Sequence, residues 1–335
     1  MIKLTQKEKE CFYGLVKYPN LNDNQLAEKV GLKRSTITSI RNKLKRNAFY
    51  FPAAIPCLRL IGCELISVVY GDLAGKEDKY KEIFEKVAKN PHVGYTYFNA
   101  TNFFMVMFDK NYTEFRKYFD EFLTFFEEEE ILKDYKVEHF PLDISRFYRR
   151  VDFSDILCHM FGFDKCPVLP DEPRPKLIKL SNKEKVVLKA LVQYPGETDT
   201  FIAEKTKVAR PTISSIKKKL IDKRLLHIMN VPNIHKMPFE LLVFTVNKFT
   251  HNVLEIPKES WMKDMHNFLM LRSTREGFGV SLFEDYSVYH ELQGKFVEKM
   301  ENMKCFSCKP STIIVSLKEE YKRKFDFSGL VNKML

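Results

Sequence analysis

Arg34-Ser35-Thr36-Ile37-Thr38-Ser39-Ile40 returns in the second half of the chain as Arg210-Pro211-Thr212-Ile213-Ser214-Ser215-Ile216, about 176 residues later. The same offset pairs Ile2-Lys3-Leu4-Thr5-Gln6-Lys7-Glu8-Lys9 with Ile178-Lys179-Leu180-Ser181-Asn182-Lys183-Glu184-Lys185, Tyr18-Pro19 with Tyr194-Pro195, and Ala27-Glu28-Lys29 with Ala203-Glu204-Lys205. It still holds at Glu64-Leu65 against Glu240-Leu241. Ungapped matching of this density exceeds what shared composition produces, so the 335-residue chain reads as a tandem duplication.

Each copy opens with a three-helix pattern. Thr5-Gln6-Lys7-Glu8 and Ser181-Asn182-Lys183-Glu184 are S/T-x-x-E capping boxes ahead of apolar runs. After Tyr-Pro, Asp23 and Asp199 are expected to cap a short second helix, and a turn is expected at Gly31 and at Lys207. A third helix places Ile37, Ile40 and Leu44, or Ile213, Ile216 and Leu220, on one buried face. Short helix, tight turn and longer basic helix make a helix-turn-helix, followed by a short wing at 49–54 and 225–230.

The rest of each half keeps one order of elements. Strand patterns at 64–70, 93–98, 103–108 and 135–140 alternate with helical patterns at 78–89 and 112–128. The second half repeats them as strands at 240–247, 268–273, 279–283 and 312–317 and helices at 258–266 and 288–300. This βαββαβ order predicts a ferredoxin-like domain, and hence an α+β fold in which a winged helix-turn-helix plus ferredoxin-like unit occurs twice. The expected domains are a winged helix at 1–54, a ferredoxin-like domain with tail at 55–165, a Pro-rich linker at 166–176, a second winged helix at 177–230 and a second ferredoxin-like domain at 231–335.

Composition excludes other classes. Hydrophobic content of 44%, 13% aromatics and only 12 Gly rule out a disordered or collagen-like chain. No uncharged apolar stretch reaches the roughly 18 residues a membrane span needs, and the first residues lack a signal-peptide core, so no membrane role and a cytoplasmic location are expected. Seven thinly spread cysteines argue against a disulfide framework and for reduced thiols.

The 55 Lys and Arg exceed the 44 Asp and Glu by 11, and this excess is gathered rather than spread. Lys33, Arg34, Arg41, Lys43, Lys45 and Arg46 occur with no acid between 33 and 46; Arg210, Lys217, Lys218, Lys219, Lys223 and Arg224 meet only Asp222 between 210 and 224. Opposite the buried isoleucines, small hydroxyls and Asn42 let the helix approach a DNA groove and reach base edges, while flanking Lys and Arg suit phosphates. The candidate DNA-contacting residues are Lys33, Arg34, Ser35, Thr36, Thr38, Ser39, Arg41, Asn42, Lys45 and Arg46 in the first copy. In the second they are Arg210, Thr212, Ser214, Ser215, Lys217, Lys218, Lys219 and Arg224. Pro211 and Asp222 replace Ser35 and Arg46, so the two helices need not prefer the same bases.

A helix-turn-helix with a short wing, then Ile55-Pro56 and Leu60-Ile61-Gly62-Cys63-Glu64-Leu65 leading into βαββαβ, resembles the Lrp/AsnC (feast/famine) transcription regulators of bacteria and archaea. The resemblance implies a sequence-specific regulator binding double-stranded DNA, with two units fused as a pseudo-dimer, and leaves room for a small-molecule effector and for homodimerisation. The family's Gly-Asp turn between the second and third sensor strands is replaced by Asn99-Ala100-Thr101-Asn102 and Thr274-Arg275-Glu276-Gly277, which puts amino-acid binding in doubt. The alternative is a protein-interaction factor whose winged helices dock on RNA polymerase or a basal transcription factor.

Other patterns point to structure. Cys305-Phe306-Ser307-Cys308 has CxxC spacing but no further ligand pair nearby, so no metal and no cofactor are assigned. Phe115, Tyr118, Phe119, Phe122, Phe125 and Phe126 recur at helical spacing as core, and Glu127 to Glu130 read as a solvated helix end. No Walker loop, G-x-S-x-G or H-E-x-x-H occurs, so the expectation is that the chain is not an enzyme.

Overall fold

A computed structural model describes residues 4–74, 77–163, 176–250, 266–318 and 322–335. The proline-rich stretch 166–175, and the helix expected at 258–266 up to residue 265, lie outside the described residues. In chain order the first half holds α1 (Gln6–Lys17), α2 (Asp23–Val30), α3 (Arg34–Arg46), β1 (Tyr50–Pro56), β2 (Leu65–Leu73), α4 (Glu77–Lys89), β3 (Val93–Phe98), β4 (Asn102–Asp109), α5 (Tyr112–Glu128), β5 (Leu132–Pro141), β6 (Arg146–Arg149) and α6 (Ser154–Phe161). The second holds α7 (Asn182–Gln193), α8 (Asp199–Thr206), α9 (Arg210–Asp222), β7 (Leu226–Pro232), β8 (Leu241–Lys248), β9 (Asn267–Arg272), β10 (Glu276–Phe283), α10 (Tyr286–Asn302), β11 (Ser311–Ser316), β12 (Lys322–Phe325) and α11 (Ser328–Met334). The fold is α+β, with a helix-turn-helix and a ferredoxin-like domain in each half.

Both capping boxes form: Thr5 and Ser181 accept from the backbone of Glu8 and Glu184, whose carboxylates bond back to the cap N–H groups. The second helices start differently from expectation, with Asn22 and Thr198 as N-caps and Asp23 and Asp199 one position inside. This frees both aspartates to reach the third helix, as shown below. The turns lie at the expected places, Gly31 at φ 70° and Lys207 at φ 58°, left-handed positions that glycine adopts readily and lysine only at a cost. Ile37, Ile40 and Leu44, like Ile213, Ile216 and Leu220, are buried as the 3.6-residue period requires.

Among the described residues no wing hairpin closes within either half. β1 and β7 instead form a two-stranded sheet with one another. The Asn233 N–H donates to Phe49 O at 2.8 Å, and the Cys57 N–H to Leu225 O at 2.9 Å. Each strand thus finds its main-chain partners on the corresponding strand of the other half.

The chain forms two compact units that cut across the repeats. One comprises Met1–Pro52, Ser145–Pro173 and Met229–Lys318; the other comprises Ala53–Ile144, Arg174–Ile228 and Glu319–Leu335. The tails account for much of this exchange. In the first unit the sheet runs β11-β8-β10-β9-β6, with β6 from the first repeat antiparallel to β9; in the second it runs β12-β3-β4-β2-β5, with β12 antiparallel to β3. Each sheet is therefore a four-stranded ferredoxin-like sheet extended by one strand from the other repeat.

In the first unit Tyr148 of β6 is buried with Phe249, Met270, Phe296 and Met300. The second unit buries an aromatic core of Phe98, Phe103, Phe115, Phe119 and Phe126 with Tyr80 and Ile83. Phe115 and Phe119 stack at 5.2 Å between centroids. Reduced thiols are not universal: Cys158 on α6 is disulfide-bonded, whereas Cys11, Cys57, Cys63, Cys305 and Cys308 are free. Wide spacing along the chain argues only against a dense framework and leaves room for one pair. No helix among the described residues is long and apolar enough to cross a membrane.

Candidate functional site

The exposed face of α3 carries Arg34, Ser35, Ser39, Asn42, Lys45 and Arg46, with Lys33 at its N-cap and Thr36 half-buried. Asn42, Lys45 and Arg46 line an open groove. On α9 the exposed residues are Arg210, Pro211, Ser214, Ser215, Lys218 and the acidic Asp222, with Lys223 and Arg224 just beyond the helix and Thr212 half-buried.

Several candidates are committed inside the helix-turn-helix. Arg41 pairs with Asp23 at 2.8 Å and donates to Leu21 O at 3.3 Å, and the Thr38 hydroxyl donates to Asp23 at 2.6 Å. The second copy repeats the design: Lys217 lies 3.4 Å from Asp199, which also accepts from Ser214. Lys43 bonds Glu8 at 2.5 Å, as Lys219 bonds Glu184. These links clamp the third helix to α1 or α2, or to α7 or α8. Burial raises the Glu8 carboxyl, but the Lys43 ammonium and the Thr5 donors outweigh it and leave the pKa below its ordinary value. The Lys219 ammonium, followed by the Ser181 backbone donor, brings Glu184 down to about 2. The cations with no ion pair among the described residues are Lys33, Arg34, Lys45 and Arg46 in one copy and Arg210, Lys218, Lys223 and Arg224 in the other.

A second constellation escaped the sequence reading. In the unit holding β2 to β5, His92 precedes β3, Asp109 ends β4 and Glu114 lies in the first turn of α5. His92 and Asp109 are fully buried, with Nδ1 2.8 Å from Oδ1. Burial pushes the Asp109 carboxyl up, against the lowering effect of His92. On the other side of the imidazole, Lys333 of α11 brings Nζ to 2.6 Å from Nε2 and also donates to the Tyr118 hydroxyl, while Tyr118 stacks on His92 at 4.1 Å. No spacing motif joins 92, 109, 114 and 333. The tail exchange alone brings Lys333 to this sheet.

The other unit carries an equivalent position with different chemistry. His266 precedes β9 as His92 precedes β3, and Phe283 ends β10 where Asp109 ends β4. His159 of α6 faces His266 at 5.3 Å between centroids. Asp155 pairs with Arg149 at 2.7 Å, both buried, and the guanidinium donates to Asn267 O at 2.9 Å. Burial, then the charges of His159 and Arg149, lower His266 to about 4. Cys305 of the CxxC stretch is buried and Cys308 exposed, and among the described residues neither belongs to a group able to hold a metal.

No family model and no curated protein matches this sequence. Among solved structures, the fold is similar over 98% of both chains to the siroheme decarboxylase NirDL in complex with an iron-uroporphyrin III analogue, at 14% identity and a TM-score of 0.56. A second structure of NirDL matches over the same 98% at a TM-score of 0.52. An AsnC family transcriptional regulator from Agrobacterium tumefaciens covers 41% of this chain and 90% of its own at 15% identity and a TM-score of 0.35. The likeness to NirDL overturns the expectation that this chain is not an enzyme, because the architecture it shares from end to end is that of one. The absence of a nucleophile or phosphate-loop motif excluded only the chemistries those motifs serve.

Proposed function

We propose that the chain binds double-stranded DNA through α3 and α9 and acts as a transcription regulator. The observation that carries this reading is the face of α3 opposite its buried residues, exposed, free of acids, and presenting Ser35, Ser39, Asn42 and Arg46 between phosphate-ready Lys33, Arg34 and Lys45. Serines keep that face slim enough for the helix to enter a major groove, and Asn42 and Arg46 have the donors and acceptors that read adenine and guanine edges. The ion pairs behind it hold the helix at a set angle on α1 and α2, so groove entry requires no reordering. The test is selection from a random duplex pool. An enriched motif is expected, and Asn42→Ala is expected to relax one of its positions while Lys45→Ala weakens all duplexes alike; no enrichment above non-specific binding refutes the reading.

A second reading rests on the full-length likeness to NirDL together with the His159–His266 pair beside buried Arg149. A decarboxylase must supply a proton to the carbon that loses CO₂, and an imidazole with a solvent-exposed edge, as His159 has, is suited to that step. Incubation with siroheme, followed by the Soret band and by mass, tests it: a band shift with loss of carboxylates supports the reading, and an unchanged spectrum and mass refute it.

A further inference from the structure

We propose that His92, Asp109 and Glu114 form a binding site for one divalent transition-metal cation per chain. The three donors come from three different elements, and their ligand atoms all lie within 4.8 Å of one another. Around a bound ion such atoms stand about 3–3.5 Å apart, so loading requires only a small contraction. One imidazole with two carboxylates suits Zn²⁺, Mn²⁺, Fe²⁺ or Co²⁺ and leaves positions for water.

Asp109 supplies the independent sign of a missing partner. It is fully buried, and its Oδ2 accepts no hydrogen bond from any described residue. A carboxylate so placed gains from a cation far more than one in water does. Glu114 is half-buried at the same edge, and its other contact is the Lys110 backbone N–H at 2.8 Å.

Lys333 makes the site switchable. When the ion sits on Nδ1, His92 carries its proton on Nε2 and can no longer accept from the Lys333 ammonium, which now lies at 2.6 Å. Lys333 is exposed and keeps its bond to the Tyr118 hydroxyl without His92, so ion binding and the Lys333–His92 contact exclude one another. The other unit cannot bind in this way: Phe283 and Val288 occupy the positions of Asp109 and Glu114, each at the same place in its strand or helix. The stoichiometry is therefore one.

This inference stands apart from the DNA reading. The full chain, stripped with chelator and dialysed, is titrated with Co²⁺ and followed by its visible absorption. One equivalent is expected to bind with the spectrum of nitrogen and oxygen ligands. Asp109→Asn and Glu114→Gln are expected each to weaken it at least tenfold, and Lys333→Met to tighten it several-fold. No uptake by the unmodified chain, a thiolate-to-cobalt band from a cysteine site, or equal affinity in Glu114→Gln overturns the proposal. Because Glu114 is not in the core, its glutamine variant keeps the test valid even where Asp109→Asn fails to fold.

Discussion

The charge assignments in the two helix-turn-helix units make a quantitative prediction about salt. By sequence each recognition segment offers six cations, and full use of both would give a slope of log K against log salt near −11, at about −0.9 per phosphate. The structure withdraws Arg41 and Lys43 to Asp23 and Glu8, and Lys217 and Lys219 to Asp199 and Glu184. Four cations per segment remain, so the expected slope is about −7, equivalent to a loss of about 10⁴ in affinity between 50 and 200 mM salt. Lys45→Ala should flatten the slope by about one unit, whereas Arg41→Ala should leave the slope unchanged and lower thermal stability by about 1 kcal/mol through loss of its Asp23 and Leu21 contacts. Fluorescence anisotropy on one labelled duplex at four salt concentrations measures all three slopes. An Arg41→Ala slope flattened as much as that of Lys45→Ala would refute the division into structural and DNA-facing cations.

Three further outcomes are expected. Glu184→Gln keeps a capping-box acceptor but removes the Lys219 ion pair, costing up to about 1 kcal/mol at neutral pH. Because the folded pKa lies near 2 and the unfolded one near 4.5, that contribution is present above about pH 4.5 and fades toward 2, so the melting curves of parent and variant should converge in acid; a constant gap would contradict it. His266 is held neutral in the fold, at about 4 against an ordinary 6.5, so the stability it confers is complete above pH 6.5 and is lost as pH falls toward 4; His266→Gln should flatten the melting temperature across that window, and an identical profile would count against this origin. A Cβ added at Gly71 would lie 2.1 Å from Asp134 O on the neighbouring strand, so Gly71→Ala should part β2 from β5 and markedly lower the denaturant midpoint, and an unchanged midpoint would show that the strands can shift at little cost.

Much of the fold is written in local patterns. Capping boxes, a 3.6-residue apolar period and alternating strands involve residues a few positions apart, and their physics acts at that range. The same holds for the exposed half of the third helix, because periodicity alone places Asn42 opposite Ile37 and Ile40. The commitment of Arg41 and Lys217 was not legible. A basic residue looks alike in sequence whether it faces water or a carboxylate, and the choice of Asn22 and Thr198 as caps is what left Asp23 and Asp199 available.

The sequence by itself determined that one pattern of elements is used twice, that each use begins with a helix-turn-helix, and that the basic excess sits on two third helices. Only the tertiary structure decided which repeat completes which sheet. β6 and β12 resemble one another, and either could pair with the edge of either sheet by main-chain hydrogen bonds that carry no residue identity. The exchange places Lys333 on His92 and His159 on His266, so the ionisable clusters depend on contacts between residues more than 100 positions apart, for which no local period or spacing leaves a trace.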